Sequence, residues 1–164
     1  MAISEFHEST IVSVSASFGF AQFACPPEEI TRELGIEPDL TVTKGSARRI
    51  LSGRKTGTAP FSTWSISSSC DSKDVNEHLR ELCGRLGSAK RSFDPAWGEP
   101  TFGVTWKGNY LYAGSGPFYE RDVIERIAAL GASLYQDIYQ VDEEDEEPDG
   151  DDGLSRIPKR FFSR

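Results

Sequence analysis

From Val12 to Phe20 the chain alternates without a slip. Val12, Val14, Ala16, Phe18 and Phe20 take one set of positions, and Ser13, Ser15, Ser17 and Gly19 take the other. A period of two sustained this long predicts a strand with one buried face. Cys25-Pro26-Pro27-Glu28-Glu29 follows, and prolines with acids suit the first turn of a helix. Ile30 and Leu34, four apart, form its inner face, and Gly35 supplies the stop.

Residues 38–62 are rich in Gly, Ser, Thr and basic side chains, which predicts a loop broken only by a short strand at Thr41–Thr43. Trp64 and Ile66 then alternate with serines as a second clear strand. Asp71 or Ser72 is placed to cap the next helix, whose apolar stripe is Val75, Leu79, Leu82 and Leu86, with Gly87 at its end. Phe102, Val104 and Trp106 alternate as a strand. With Tyr110–Ala113 extended and Lys107-Gly108-Asn109 between, the pattern predicts a hairpin. A third helix is expected over Glu120–Leu130, with Val123, Ile124, Ile127 and Leu130 inward, and Leu134–Val141 closes the fold as a strand.

Two stretches share a plan. An aromatic strand (Phe18, Phe20, Phe23) runs into a proline-started helix and Leu34-Gly35; Tyr110 and Tyr112 run into Pro117, Asp122-Val123-Ile124 and Leu130-Gly131. The expected fold class is therefore α+β: one domain, a mostly antiparallel sheet covered by three helices, built as two diverged strand-helix-strand halves in a ferredoxin-like sandwich.

Charge sets the boundaries of that domain. The net charge is -8, but residues 1–141 contribute only -3 of it, and the remaining -5 falls in residues 142–164. All nine acids of this last stretch lie in Asp142–Asp152, DEEDEEPDGDD, which repels itself and has nothing to bury. The expected organisation is a loose N-terminus at 1–8, a folded unit at 9–141, and a disordered acidic tail at 142–164 ending in a basic, aromatic peptide. A net acidic chain disfavours nonspecific nucleic-acid binding. No run approaches the ~20 apolar residues of a membrane span, and the start lacks the basic and apolar regions of a signal peptide. Cys25, Cys70 and Cys83 cannot all pair and form no Cys-x-x-Cys. That excludes a zinc ribbon and suits a reducing cytosol, so a cytoplasmic location is expected, with no metal or cofactor.

At this point the residues resemble a bacterial family of domains of unknown function, number 4279. The resemblance rests on Pro27-Glu28-Glu29-Ile30-Thr31-Arg32-Glu33-Leu34-Gly35-Ile36-Glu37-Pro38, Lys44-Gly45, Trp64-Ser65-Ile66-Ser67-Ser68, His78-Leu79, Leu130-Gly131-Ala132 and Asp137-Ile138-Tyr139. It covers about 16–139 and implies a small cytosolic α/β-type domain without an established reaction.

Candidate chemistry is sparse. His78, the one histidine inside the fold, sits at the margin of a buried stripe. It suits a half-buried, hydrogen-bonded histidine better than a general base without an orienting carboxylate. Cys25 and Cys70 precede helix starts, where a helix dipole can lower a thiol pKa, though small buried residues are the commoner reading; Cys83 reads as core filler. Asp137 lies between Tyr135 and Tyr139 on one strand face, and an aromatic-flanked carboxylate either acts in acid-base work or accepts structural hydrogen bonds.

The basic loop carries more. Lys44, Arg48, Arg49, Arg54 and Lys55 place five positive charges among glycines and hydroxyls. They can grip an anion through amides and guanidinium forks, although the order is not that of a P-loop. The bland reading is a solvated loop, and a third has the acidic tail lying on it as a mask. Trp97, in a Pro/Gly-rich segment, is a candidate exposed anchor for a partner.

Three functions follow. The first is a non-catalytic protein-interaction domain, in one version an immunity-type protein that neutralises a basic partner through electrostatic steering. The second is a sensor of a small anionic ligand at residues 44–55. The third is an enzyme using His78, Cys70 or Asp137.

Overall fold

The computed structural model describes residues 11–49, 56–87, 93–108 and 117–140. In chain order these form β1 (Ile11–Ala21), α1 (Pro27–Leu34), β2 (Leu40–Val42), β3 (Ala47–Arg49), β4 (Thr56–Thr58), β5 (Thr63–Ser67), α2 (Val75–Gly87), a 3-10 turn (Pro95–Trp97), β6 (Thr101–Gly108), α3 (Arg121–Ala129) and β7 (Ser133–Gln140). Five strands make one sheet in the order β2-β5-β1-β6-β7, antiparallel except for β6 beside β7. This is the α+β single domain that the patterning predicts.

The expected loop at 38–62 contains more order than its composition suggests. β3 and β4 pair antiparallel as a separate two-stranded hairpin, with Ala47 opposite Thr58 and Arg49 opposite Thr56. Thr56 and Thr58 favour extended backbone, and the pairing needs no buried face of its own. Of the strand-helix-strand units, β1-α1-β2 crosses over β5, whereas β6-α3-β7 joins neighbours. The second strand expected at Tyr110–Ala113 lies outside the described residues, as do the N-terminal segment and everything from Val141 on.

One side of the sheet and one face of each helix enclose the core. Cross-strand register stacks Phe20 on Trp64, Phe18 on Ile66 and Phe102, Ala16 on Val104, and Val14 on Trp106. Ile30 and Leu34 of α1, Val75, Leu79, Leu82 and Leu86 of α2, and Val123 and Ile127 of α3 close over them. Aromatic rings interlock here: Phe18 lies edge-on to Phe20 at 5.3 Å, and Phe20 edge-on to Trp97 at 5.5 Å. The opposite face of β1 and its neighbours is small and hydroxylated, with Ser15, Ser17, Gly19, Ser65, Ser67, Thr101 and Thr105 in register.

Helix ends follow local rules, with one correction. Pro27 opens α1, and Gly35, at φ 67°, closes it with an amide bond back to Thr31. The cap of α2 is Asp74 and neither Asp71 nor Ser72: its Oδ1 accepts from the Asn76 amide at 2.9 Å. Ser72 serves one step earlier, its hydroxyl accepting from the Asp74 amide. A second correction concerns Ile124, which is 48% exposed rather than inward. Val123 and Ile127, four apart, take the sheet-facing stripe, and Ile124 is rotated ~100° off it.

Two glycines define opposite expectations. A Cβ on Gly19 would lie 2.5 Å from the Trp64 carbonyl oxygen and 2.9 Å from Ser65 Cβ, so the strands would have to separate. Gly84, in the second half of α2, has nothing within 4 Å of such an atom. Gly19→Ala is expected to destabilise by about 1–3 kcal/mol through overpacking, and Gly84→Ala to stabilise by about 0.5–1 kcal/mol. Urea unfolding of both variants measures the contrast.

Candidate functional site

At the end of the sheet where β1 and β2 finish, one buried serine organises the backbone. The Ser62 carbonyl accepts from the Gln22 amide at 3.0 Å, and its hydroxyl accepts from the Lys44 amide at 3.1 Å. β5 lies between β1 and β2, so the residue just before it can tie the ends of both neighbours. Gln22 pays for this turn with a left-handed φ of 66°, the one non-glycine residue at positive φ among those described.

The basic hairpin rises from the same place. Gly45, at φ 83°, turns the chain; its amide bonds the Ala59 carbonyl, and the Ala59 amide bonds the Ser46 carbonyl. Lys44 stands at the hairpin's base. Facing it across a cleft of about 880 Å³ is the β1–α1 turn. Cys25, Pro26 and Pro27 line one side, Thr43, Lys44, Pro60 and Phe61 the other, and Gln22 and Ser62 the floor between. Prolines and an aromatic ring supply rigid apolar walls; Lys44 and Glu28 supply one charge of each sign. Residues 50–55, with Arg54 and Lys55, fall outside the described residues, while Arg48 and Arg49 are on β3.

A second polar cluster lies at the other end of the core, where β5 enters α2. His78 is buried at 2% exposure. Its Nε2 lies 2.8 Å from the Ser72 carbonyl, which only accepts, so Nε2 donates. In the neutral ring Nδ1 then accepts from the Ser68 hydroxyl. A hydroxyl, a base and a third group that orients the base is the outline of an activated nucleophile. The amides that would complete it are occupied, however: the Glu81 carboxylate takes the Ser69 amide, the Ser69 hydroxyl and the Cys70 amide at 2.9–3.1 Å. An oxyanion at Ser68 would find those two donors already engaged. His78 and Glu81 thus pin the 68–74 turn onto α2. Asn76 extends the arrangement, donating to the Phe118 carbonyl and accepting from the Glu120 amide, while Arg80 grips Glu120 at 2.6 Å and Asp122 at 2.9 Å.

Other expected site residues are placed differently. Trp97 is 5% exposed and belongs to the core, correcting its reading as a partner anchor. Asp94 caps the 3-10 turn through the Ala96 amide, and Gly98, at φ 83°, turns the chain so that the indole packs on Phe20. Asp137 and Tyr135 do share a face: the Tyr135 hydroxyl donates to Asp137 Oδ1 at 2.8 Å, and Oδ2 is buried with no partner among the described residues. Neither half-buried thiol is activated. Burial first, then nearby Glu29, raises Cys25; burial first, then Glu81, raises Cys70. Acids in the first helical turn and beside the loop cancel the dipole effect that position alone suggests. Burial likewise raises Cys83.

Among the described residues no group of three or more His, Cys, Asp or Glu side chains is arranged to hold a metal ion. No described helix is long and apolar enough to cross a membrane. Cleft residues Gln22, Phe61 and Ser62 carry no chemical motif, and only their convergence in space reveals them.

Fold and site together define a two-layer α+β domain with a cleft at the base of a basic hairpin. The chain belongs to the family described as domain of unknown function DUF4279, whose model matches residues 10–141. No curated protein and no solved structure matches it.

Two titrations report on this framework. Burial pushes the Glu81 carboxyl up, but the hydrogen bonds from Ser69 and Cys70 and the charge of Arg85 outweigh it and hold it below its ordinary 4.5. A carboxylate depressed in the fold stabilises above its unfolded pKa, and that stability is lost as pH falls through the folded value. Glu81→Gln is therefore expected to cost about 1–2 kcal/mol at neutral pH, with the difference from wild type closing as pH drops below 4.5. Burial pushes Tyr119, which donates to Gln136 Oε1 at 2.6 Å, up to about 12 from 10.0. The fold keeps a proton that the unfolded chain releases, so stability falls as pH rises between those values, and Tyr119→Phe removes that slope. Denaturant unfolding across pH measures both.

Proposed function

We propose that this domain is a non-catalytic recognition module whose cleft receives a segment of a protein partner, with an anionic group of that segment held at Lys44 and the hairpin. The observation that carries this reading is the common origin of cleft and hairpin. Ser62 ties Gln22 and Lys44 into one rigid floor, and the strand that carries Arg48 and Arg49 follows Lys44 in the chain. Rigid proline and phenylalanine walls bind a segment at little entropic cost, and a cation at the rim selects its charge. The polar cluster around His78 supports the non-catalytic part of the reading, because its groups are spent on holding a turn.

A small anionic ligand is the second reading. About 880 Å³ lies within the range of small-molecule sites, although this cleft is open. An immunity-type role against a basic partner draws on the net charge of -8; Lys44 favours an acidic group on its own side of the cleft.

The test is titration of isotope-labelled protein with an array of short acidic and neutral peptides and, separately, with inorganic phosphate and small carboxylates. Binding of acidic peptides should shift the Gln22, Lys44 and Phe61 amides, and Lys44→Glu should weaken it at least about tenfold, with Phe61→Ala weakening it independently of charge. Shifts from the small anions alone would replace this reading with the second. Peptide-induced shifts confined to other surfaces, or unaffected by Lys44→Glu, would refute the cleft as the site.

A further inference from the structure

The two edges of the sheet are built differently. β2 is three residues long, follows Pro38-Asp39 and runs into Lys44, and so offers little to an incoming strand. β7 runs for eight residues, SLYQDIYQ, without Pro, Lys or Arg, and among the described residues it has a neighbour only on the β6 side. Edges of this length are ordinarily blunted or covered.

Apolar exposure concentrates at the same place. Of the five large apolar side chains exposed among the described residues, Ile138 (40%) and Tyr139 (43%) belong to β7 and Ile124 (48%) to α3. The orientation of α3 follows from its contacts: Asp122 meets Arg80 of α2, with Arg126 one turn on, and Val123 and Ile127 face the sheet. Ile124 is then rotated to the flank away from α2, on the β7 side.

We infer that a second copy of this chain covers this edge, the two β7 strands pairing antiparallel across a two-fold axis. An axis that relates adjacent antiparallel strands stands normal to the sheet and keeps α3 on the same side in both copies. Paired residues then share a face, so the axis must pass through a residue rather than between two. Centring on Asp137 would oppose two carboxylates. Centring on Tyr135 would leave Ile138 and Tyr139 uncovered. Centring on Gln136 pairs Leu134 with Ile138 and Tyr135 with Asp137, and sets Ser133 against Tyr139, with no like charges opposed. Self-complementarity in charge and apolar character selects a second copy over an unrelated strand. The same operation sets the two α3 helices side by side, at the ~10 Å that two strand spacings allow.

Two substitutions at the axis test this, read by sedimentation of the full chain across micromolar concentrations. Gln136→Glu keeps an oxygen for the Tyr119 hydroxyl but sets two carboxylates against each other. It should raise the dimer dissociation constant at least about tenfold at neutral pH, with recovery when the carboxylates are protonated. Gln136→Cys should form an intermolecular disulfide under mild oxidation that the wild-type chain does not form. A chain that stays monomeric throughout, a dimer indifferent to Gln136→Glu, or the absence of the Gln136→Cys cross-link would each overturn the inference.

Discussion

β1 is the constraint on which the remainder of this domain rests. It is the central strand, paired with β6 over Ile11–Gly19 and with β5 over Ser17–Ala21, and its two faces are made of different materials. The even positions, Val14 through Phe20, hold the aromatic stack to which all three helices are fastened. The odd positions are serine and glycine, small enough for β5 to approach until the Gly19 hydrogens touch the Trp64 carbonyl region. A shift of one residue would exchange these faces, exposing the phenylalanines and burying hydroxyls without partners, so register is strongly determined. Because β1 ends beside β5, the Gln22 turn, the Ser62 tie and the cleft all inherit their position from that register.

Polar groups do a different task at each end of the core. At the cleft they satisfy strand ends and leave charged side chains facing outward. At the start of α2 they are consumed internally, as His78, Glu81, Asn76 and Arg80 each spend their donors and acceptors on the turns before α2 and α3. Both ends contain residues that sequence alone flags as chemical, and at the first of them Cys25 and Lys44 line the cleft. What the neighbouring backbone demands of a side chain, rather than its residue type, makes it a structural clamp.

That distinction explains what could be read in advance. β1, β5, α1 and α2 were legible because period-two and period-3.6 patterns, together with Pro27 and Gly35, are local signals with one physical meaning. The β3–β4 hairpin was not, because strands of three residues are too short to show apolar alternation. The Pro/Gly surroundings of Trp97 point to exposure, yet the same residues that make a segment rigid also let it turn an indole inward. For the site, Lys44 was visible as charge, but Gln22, Phe61 and Ser62 became a floor and wall only through strand order, which no local window contains.

Strand order also bears on the acidic run that follows the fold. β7 ends at Gln140, in register with Gly108 and Ile11, whereas β2 ends at Val42, in register with Thr63 and Ala21. The two points lie at opposite ends of β1 and on opposite edges of the sheet: about 33 Å along the strands and about 19 Å across four strand spacings, roughly 38 Å apart. Asp152 is twelve residues beyond Gln140, a reach of about 40 Å at full extension and about 20 Å for a flexible chain. Only the last acids of the run could touch Lys44, and only by giving up nearly all conformational freedom for an attraction that physiological salt screens within about 8 Å. Masking of the cleft by the chain's own acidic segment would therefore demand a nearly straight chain, and under the proposed function it competes poorly with a partner that brings its anionic group already positioned.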